Sequence, residues 1–176
     1  VRLYERAAER GNRQAQENLG YCYYYGREGK PDYEKAFQAF ALGAFEGRAV
    51  SLYKIGDMYR EGLYVPKNEE AAFQIYLRCA RTMTKDEDER AAGPVHLRLG
   101  EMFLEGAGPA EDLKQAMRCF QIAEEYLYCM VMNGDEMYRK SLERAVEGQR
   151  VVREMRMQKL PDKAWPFERR DESAWI

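Results

Sequence analysis

The sequence predicts an all-α fold, an α-solenoid of stacked antiparallel helix pairs that ends in a capping helix. Two observations predict it: one segment occurs three times in the 176-residue chain, and apolar residues recur at intervals of three and four, the period of a helix. The three copies are LGYCYYYG (19–26), IGDMYREG (55–62) and LGEMFLEG (99–106). Because a single helix pair cannot bury its apolar face alone, successive pairs are expected to stack.

Five positions recur in step in each copy. We expect the first glycine to let a neighbouring helix approach closely, because a mid-helix glycine otherwise costs about 1 kcal/mol relative to alanine. An aromatic residue for packing follows, and a second glycine is expected to end the helix in the left-handed conformation. An alanine and a second aromatic then mark the next helix. These positions are Gly20, Tyr23, Gly26, Ala36 and Phe40; Gly56, Tyr59, Gly62, Ala72 and Tyr76; and Gly100, Phe103, Gly106, Ala116 and Phe120.

The elements follow in order along the chain. LYERAAERG, near the start, is predicted to be helical and to form the second half of an incomplete unit, so a chain that opens at Val1 is expected to be part of a longer protein. The first helices of the units are predicted at 13–25, 49–61 and 95–105, and the second helices at 33–46, 69–82 and 113–130. Asp32, Asn68 and Asp112 stand where N-caps are expected. Eight extra residues before the third copy are expected to enlarge a turn within 84–93.

The pattern stops after the third unit, which divides the chain into a solenoid (1–130, about three units plus a partial first one), a C-terminal capping helix (131–160) and a tail (161–176). The capping helix is expected to bury an apolar stripe. Dimerisation through this helix is the alternative that stays open. The tail is expected to pack on the last helices or to dock into a groove of its own or of a neighbouring chain. The stripe consists of Met137, Leu142, Val146, Val152 and Met155, and the tail anchors are Trp165, Phe167 and Trp175.

The composition argues against several classes of function. Lys and Arg number 28 against 30 Asp and Glu, so there is no basic excess for binding nucleic acid. No apolar run reaches the ~20 residues of a membrane span, so membrane insertion is not expected. The four cysteines, Cys22, Cys79, Cys119 and Cys129, are irregularly spaced and are predicted to be reduced thiols. A cytoplasmic location is therefore expected, and a secreted or periplasmic one stays open.

Residues for catalysis or metal binding are sparse in the sequence. His96 is the single histidine, and no cysteine stands at metal-ligand spacing from it. The acidic run at 86–89 lacks the glycine and the spacing of an EF-hand loop. The glycine-rich EGAGPAED (105–112) matches no phosphate-binding motif and is expected to be a loop that joins helices. We therefore expect a protein that is not an enzyme and that needs no cofactor or metal.

The repeated Leu/Ile-Gly-x-x-aromatic-x-x-Gly pattern, together with the alanine and aromatic of each second helix, resembles the Sel1-like repeats, which are related to the tetratricopeptide repeats. The resemblance extends over residues 4–126 and implies a right-handed superhelix whose first helices line a concave groove that binds a peptide or protein. It implies a scaffold or adaptor. The alternative is a structural module that self-assembles as a homodimer through the C-terminal helix and tail.

The resemblance implies which residues line the groove: those at the positions that line it in the tetratricopeptide relatives. We expect these residues to be exposed. The alternative is that they form plain solvated helix faces. Tyrosine is enriched at protein interfaces, so the excess tyrosines of LGYCYYYG are the first place to expect a partner. At two positions the register leaves a choice, Tyr53 or Lys54 and Leu97 or Arg98. The implied contacts are Glu17, Tyr21, Tyr24, Tyr25, Lys54, Asp57, Arg60, Arg98, Glu101 and Leu104.

Overall fold

The computed structural model describes residues 1–27, 29–83, 89–107 and 110–159, and within these ranges it contains helices and no strand. The all-α prediction is confirmed. The helices are α1 (Arg2–Glu9), α2 (Arg13–Tyr25), α3 (Tyr33–Phe45), α4 (Ala49–Glu61), α5 (Glu69–Thr82), α6 (Glu89–Glu105), α7 (Leu113–Met132) and α8 (Arg139–Gln158), with a 3-10 turn at Glu136–Tyr138.

The helices pack in two rows. The second helix of each unit lies between the first helix of its own unit and that of the next, so that α3 contacts α2 and α4, α5 contacts α4 and α6, and α7 contacts α6 and α8. The first helices also meet directly, α4 with α6 and α6 with α8. Helices α2, α4, α6 and α8 therefore form one row, and α1, α3, α5 and α7 form the other.

The first glycine of each copy receives the aromatic side chain of the second helix in the same unit. A Cβ atom added to Gly20, Gly56 or Gly100 would lie 2.6, 2.6 or 2.8 Å from the ring of Phe40, Tyr76 or Phe120 respectively, closer than real Cβ contacts allow. Those three rings are at most 1% exposed. Close packing of the helices at the repeated glycines, as predicted, is confirmed, and it offsets the cost of glycine within a helix.

The predicted helix ends are also confirmed. Gly26 and Gly62 follow α2 and α4 with φ angles of 61° and 69°, the left-handed conformation that glycine adopts without steric cost. Asp32, Asn68 and Asp112 each accept a hydrogen bond from backbone N–H groups in the first turn of α3, α5 and α7. Each capped helix therefore begins at the residue that the sequence indicates.

The prediction of an enlarged turn before the third copy is wrong in part. Residues 89–93, expected in an enlarged turn, belong to α6, where Gly93 packs against the side chain of Leu127. Residues 84–88, which include most of the acidic run, lie outside the described residues. The residues from Ala91 to Val95 are all buried, so this extension of the helix contributes to the core.

The apolar stripe expected on the C-terminal helix is displaced. Met137 and Val146 are exposed, Leu142 and Met155 are half-buried, and Val152 is buried. The residues that α8 buries are Val152 of the expected stripe and, in place of the others, Ala145, Gly148 and Gln149, at the helical intervals of three and four. Gly148 lies on this face because the ring of Phe120 occupies the space where a side chain would stand, 2.5 Å from the position that a Cβ atom would take. The buried face was therefore set by a small residue that an apolar pattern does not reveal.

Candidate functional site

The residues implied as partner contacts lie on the row of first helices, and we call this side the inner face. It carries Glu17, Tyr21, Tyr24 and Tyr25 of α2, Lys54, Asp57 and Arg60 of α4, Arg98, Glu101 and Leu104 of α6, and Arg144 of α8. Polar contacts join neighbouring helices across this face, and they decide which side chains stay accessible.

Three of the four tyrosines of LGYCYYYG, together with Tyr53, surround a lysine of the same chain. The Nζ atom of Lys54 lies between 4.8 and 5.5 Å from the ring centroids of Tyr21, Tyr24, Tyr25 and Tyr53. An ammonium group at this distance is attracted to the negative face of an aromatic ring. We call this arrangement the tyrosine cage. It shows that the excess tyrosines pack around an internal cation.

Burial and hydrogen bonds act on the phenol groups of the cage. Tyr21 and Tyr53 share a hydrogen bond of 3.0 Å between their hydroxyl groups, and Lys54 Nζ donates to the Tyr25 hydroxyl at 3.3 Å. Burial raises the pKa of Tyr21, Tyr24 and Tyr53 well above the usual range of tyrosine. Tyr21, Tyr24 and Tyr53 are therefore protonated at physiological pH, and their rings face the lysine as neutral phenols.

Asp57 lies at the centre of the inner face and joins three helices. It accepts hydrogen bonds from the guanidinium of Arg98 in α6, at 2.8 Å from Nη2 and also from Nε, and from the Tyr76 hydroxyl in α5 at 2.8 Å. Lys54 Nζ lies 3.2 Å from its Oδ2 atom. Burial alone would raise the pKa of Asp57, but the charges of Arg98 and Lys54 outweigh this and hold it below its usual value. Asp57 is therefore an ionised carboxylate.

Glu101 is shared by two arginines from different helices. Arg60 of α4 donates to its Oε2 at 2.8 Å, and Arg144 of α8 donates to its Oε1. Arg60 also reaches Glu105 at 3.3 Å. Nearer the N-terminus, Arg48 forms a two-pronged contact with Glu17 at 2.7 and 2.8 Å. Charges on one helix are thus paired with opposite charges on the next.

This pairing corrects the expectation that all the implied contacts are exposed. Glu17, Lys54 and Asp57 are only 5%, 4% and 6% exposed, because each meets a partner from a neighbouring helix. At the two positions of ambiguous register, Tyr53 and Leu97 are buried. Tyr25 is exposed, as expected, whereas the remaining implied contacts are half-buried: Tyr21, Tyr24, Arg60, Arg98, Glu101 and Leu104. Sequence reasoning missed Arg144, because α8 has no repeat signature to place it on this face.

A cleft of about 400 Å³ opens on the inner face, beside the tyrosine cage. Its walls come from α2, α3, α4, α6 and α8, so four successive first helices contribute to one depression. They place aromatic rings and guanidinium groups side by side, a mixture that suits hydrogen bonding and stacking with a peptide. The lining residues are Tyr24, Tyr33, Asp57, Arg60, Glu61, Leu63, Arg98 and Arg144.

Side chains suited to metal binding do not come together in the described ranges, and three of the four cysteines are buried thiols. No group of three or more His, Cys, Asp and Glu residues there could hold a metal ion. Burial raises the pKa of the Cys119 thiol to about 11, which keeps it protonated. The thiol of Cys79 donates to the Ala49 carbonyl at 3.4 Å. Among the helices that the structure describes, none is long and apolar enough to cross a membrane.

His96 lies away from the inner face, and a ring nitrogen is 2.8 Å from the Ala92 carbonyl. Its surroundings include Glu89 of α6 and Glu125 and Tyr126 of α7. Burial lowers its pKa below the ordinary value of 6.5, and this outweighs the hydrogen bond to Ala92. The imidazole is therefore a neutral, hydrogen-bonded group of the packing between α6 and α7.

We expect His96 to make the protein less stable as the pH falls below 6.5. The unfolded chain takes up a proton there while the folded chain resists it, so the free energy of unfolding decreases with decreasing pH until the folded pKa is reached. Urea unfolding of the wild type and of His96→Gln between pH 7.5 and 5.5 measures this. The variant is expected to show a smaller decrease than the wild type. Equal decreases in both proteins would contradict the assignment.

The sequence anchors of the tail, Trp165, Phe167 and Trp175, lie outside the described residues. Dimerisation through the C-terminal helix and tail therefore stays a prediction, as do the partner contacts of the inner face.

Comparison with known proteins identifies the repeat. The family model of the Sel1 repeat matches residues 1–12, 13–38, 49–81 and 95–125, more than half of the chain. Two solved structures share the fold. The first is a Sel1 repeat protein from Oxalobacter formigenes, with a TM-score of 0.59 and 22% sequence identity; the match covers 88% of this chain and 62% of that one. The second is the protective antigen c5321 of uropathogenic Escherichia coli, described as displaying an SLR fold, with a TM-score of 0.58 and 24% identity; the match covers 94% of this chain and 36% of that one.

Curated relatives are much longer proteins. The chain is 33% identical over 108 residues to the DAP3-binding cell death enhancer 1 of Rattus norvegicus. This match covers 57% of this chain and 21% of the relative's length. It is 29% identical over 102 residues to the ERAD-associated E3 ubiquitin-protein ligase component HRD3A of Arabidopsis thaliana, covering 58% and 14%. The chain thus spans about a fifth or less of the length of these two relatives.

Proposed function

Because this chain belongs to the Sel1 repeat family, whose members generally mediate protein–protein interaction, we propose that it is a non-catalytic interaction module that binds a segment of a partner protein along the inner face. The observation that carries the proposal is the cleft to which α2, α4, α6 and α8 all contribute. A partner segment that crosses this row of helices contacts every unit in turn. This is how helical solenoids use their extended surfaces.

The names of two relatives support a binding role. One is described as binding DAP3, and the other as a component of a ubiquitin ligase. Both names describe proteins that act by associating with other proteins. Since the chain corresponds to only part of each, we take over the general role of protein binding and not the partner.

The inner face divides into residues that fix its shape and residues that reach solvent. Buried Glu17, Lys54 and Asp57 are paired within the protein and hold the first helices in register. The accessible atoms belong to exposed Tyr25 and Glu61, and to Arg144, whose side chain is 58% exposed. Arginine and tyrosine are enriched among the few residues that dominate the binding energy of protein interfaces. We assign the partner contacts to this second group, with half-buried Tyr24 and Arg60 beneath it.

Site-specific photocrosslinking tests the proposal. A photoreactive amino acid replaces Glu61 or Arg144 at the cleft, and the matched controls carry it at Arg78 or Arg118, which are exposed on the second helices α5 and α7. After incubation with extract of the source organism, the cleft positions are expected to yield the same crosslinked protein and the control positions none of it. Unfolding curves check that all four proteins are folded. If the control positions on α5 and α7 crosslinked the same protein as strongly as the cleft positions, binding at the inner face would be contradicted.

A further inference from the structure

We propose that a groove between α6 and α8 on the inner face receives an amphipathic helix of the partner protein, which lays a stripe of aliphatic side chains on the groove floor. The inference rests on the proposed function and specifies the chemistry of the partner segment. Three observations carry it: the apolar floor of the groove, the unbroken helix that forms its longer wall, and the charges along its rim.

The groove has a volume of about 570 Å³ and continues from the cleft, since Arg144 lines both. Its floor consists of Phe120 of α7 and Gly148 of α8, which are buried. Leu104 of α6 and Val151 of α8 add half-buried aliphatic side chains from the two walls. The base of the groove therefore offers apolar atoms to a ligand.

The corresponding space at the two earlier interfaces between first helices holds polar side chains. Between α2 and α4 the rings of Tyr21 and Tyr24 pack edge-on against Phe40, with ring centroids 5.5 and 6.3 Å apart. Between α4 and α6 the hydroxyl of Tyr76 donates to a carboxylate of α4. At the third interface Phe120 has no hydroxyl, and α8 presents a glycine to its ring. An apolar groove stands here where the first two interfaces are filled by polar groups.

The longer wall of the groove favours a helical ligand over an extended one. Helix α8 lines the groove from Lys140 to Val151 and continues to Gln158. The backbone carbonyl groups along this wall bond within the helix, so a ligand backbone finds no acceptors there. An extended segment would bury its own N–H and C=O groups unpaired on the apolar floor, which costs free energy. A helix satisfies these groups internally and presents only side chains.

The length and rim charges of the groove describe the ligand further. The wall from Lys140 to Val151 is about 17 Å long, the length of a helix of about eleven residues. A helix of three turns presents its aliphatic residues on one face at intervals of three and four. Lys140 and Arg144 alternate along the rim with Glu143 and Glu147, and all four are exposed. We therefore expect charged residues of both signs beside the aliphatic stripe of the ligand.

Peptide display on the full chain tests the inference. The probe is a library of random peptides of about 16 residues without tryptophan, long enough to span the groove as a helix. The selected peptides are expected to share aliphatic residues three and four positions apart and to gain helical circular dichroism on binding. They are also expected to shift the methyl NMR signals of Leu104 and Val151. Val146 stands outside the groove on the same helix and is 46% exposed, so its methyl signals are expected to stay in place.

Two variants from opposite walls and one matched control decide the outcome. Leu104→Lys and Val151→Lys each place a charge on the apolar surface and are expected to weaken binding of the selected peptides by about tenfold or more. Val146→Lys is expected to weaken it by less than about twofold. Unfolding curves check the three variants, and the methyl signals of the wild type locate the peptide without any substitution. Selected peptides with aliphatic residues at every second position, or equal binding to all three variants, would overturn the proposal.

Other occupants of the groove give different results. Both tryptophans of the chain, Trp165 and Trp175, belong to the tail, so a shift of tryptophan fluorescence on adding peptide would assign the groove to the tail. A dimer that the peptide dissociates would assign it to a second copy. Either result overturns the proposal. Photocrosslinks from Arg144 to a partner, without selection of helical peptides, would retain the protein-binding role and remove the helical ligand.

Discussion

Replacing Asp57 with alanine is expected to lower the free energy of unfolding by about 3 kcal/mol, because it leaves two cations without their carboxylate. Arg98 of α6 donates to Asp57 through two nitrogens. Lys54, on the same helix as Asp57, has its Nζ atom 3.2 Å from the carboxylate. The value is placed at the lower end for a buried pair, since the Arg98 side chain keeps 19% exposure. Urea unfolding followed by circular dichroism at pH 7 measures the change.

Glu61→Ala is the matched control for this substitution. Glu61 is the last residue of the same helix and is exposed, so its removal is expected to change the free energy of unfolding by no more than about 0.5 kcal/mol. The double variant Asp57→Ala with Arg98→Met is expected to lose less than the sum of the two single variants, because removing Asp57 then no longer leaves the Arg98 guanidinium without its carboxylate. Equal losses for Asp57→Ala and Glu61→Ala would show that the buried network contributes little.

The same network has a pH dependence of known sign. The pKa of Asp57 is lower in the folded protein than its ordinary value of 3.8, so its contribution to stability is complete above that value. The contribution is lost as the pH falls through the folded pKa. The wild type and Asp57→Ala are therefore expected to converge in stability under strongly acidic conditions.

Replacing Phe120 with alanine is expected to lower the free energy of unfolding by about 3–5 kcal/mol, the cost of removing a fully buried aromatic ring. The ring lies between two glycines, Gly100 of α6 and Gly148 of α8, and each of them approaches it so closely that a Cβ atom would collide with it. Its loss therefore leaves a cavity where α6, α7 and α8 meet. Chemical unfolding again gives the magnitude.

Tyr128→Ala on the same helix is the control for Phe120→Ala. Tyr128 is also aromatic but is 55% exposed, so its replacement is expected to cost no more than about 0.5 kcal/mol. Phe120→Leu refills part of the space and is expected to recover part of the loss. If Phe120→Ala were as stable as Tyr128→Ala, the ring between Gly100 and Gly148 would contribute little to the packing of α6, α7 and α8.

Much of the fold could be predicted because the sequence repeats its own local contacts. The pairing of Gly20 with Phe40 recurs as Gly56 with Tyr76, so comparison of the units picks out both partners. The early start of α6 at Glu89 could not be found in this way, since the residues that extend it occur in one unit alone. Comparison therefore identifies what all units share and misses what one unit adds.

The inner face was predictable in position but not in exposure. Asp57 stands where the first unit has Tyr21 and the third has Glu101, so the repeat gives no constant residue type there. Its ionic partner Arg98 is 41 residues away and belongs to the next unit. Burial at this face depends on such contacts between units. Sequence spacing within one unit could not show that Asp57 is a paired, buried carboxylate.

The contacts that join neighbouring units also determine how the protein unfolds. In a solenoid, stability is a sum of the stability of each unit and of its interfaces, and strong interfaces make neighbouring units unfold together. Here the first two interfaces are bridged by side chains, Glu17 to Arg48 and Asp57 to Arg98, and Arg144 extends the row to α8 through Glu101. Each bridge is made only while both helices are folded. Because these bridges couple the units, we expect the described helices to unfold in one cooperative transition and not unit by unit.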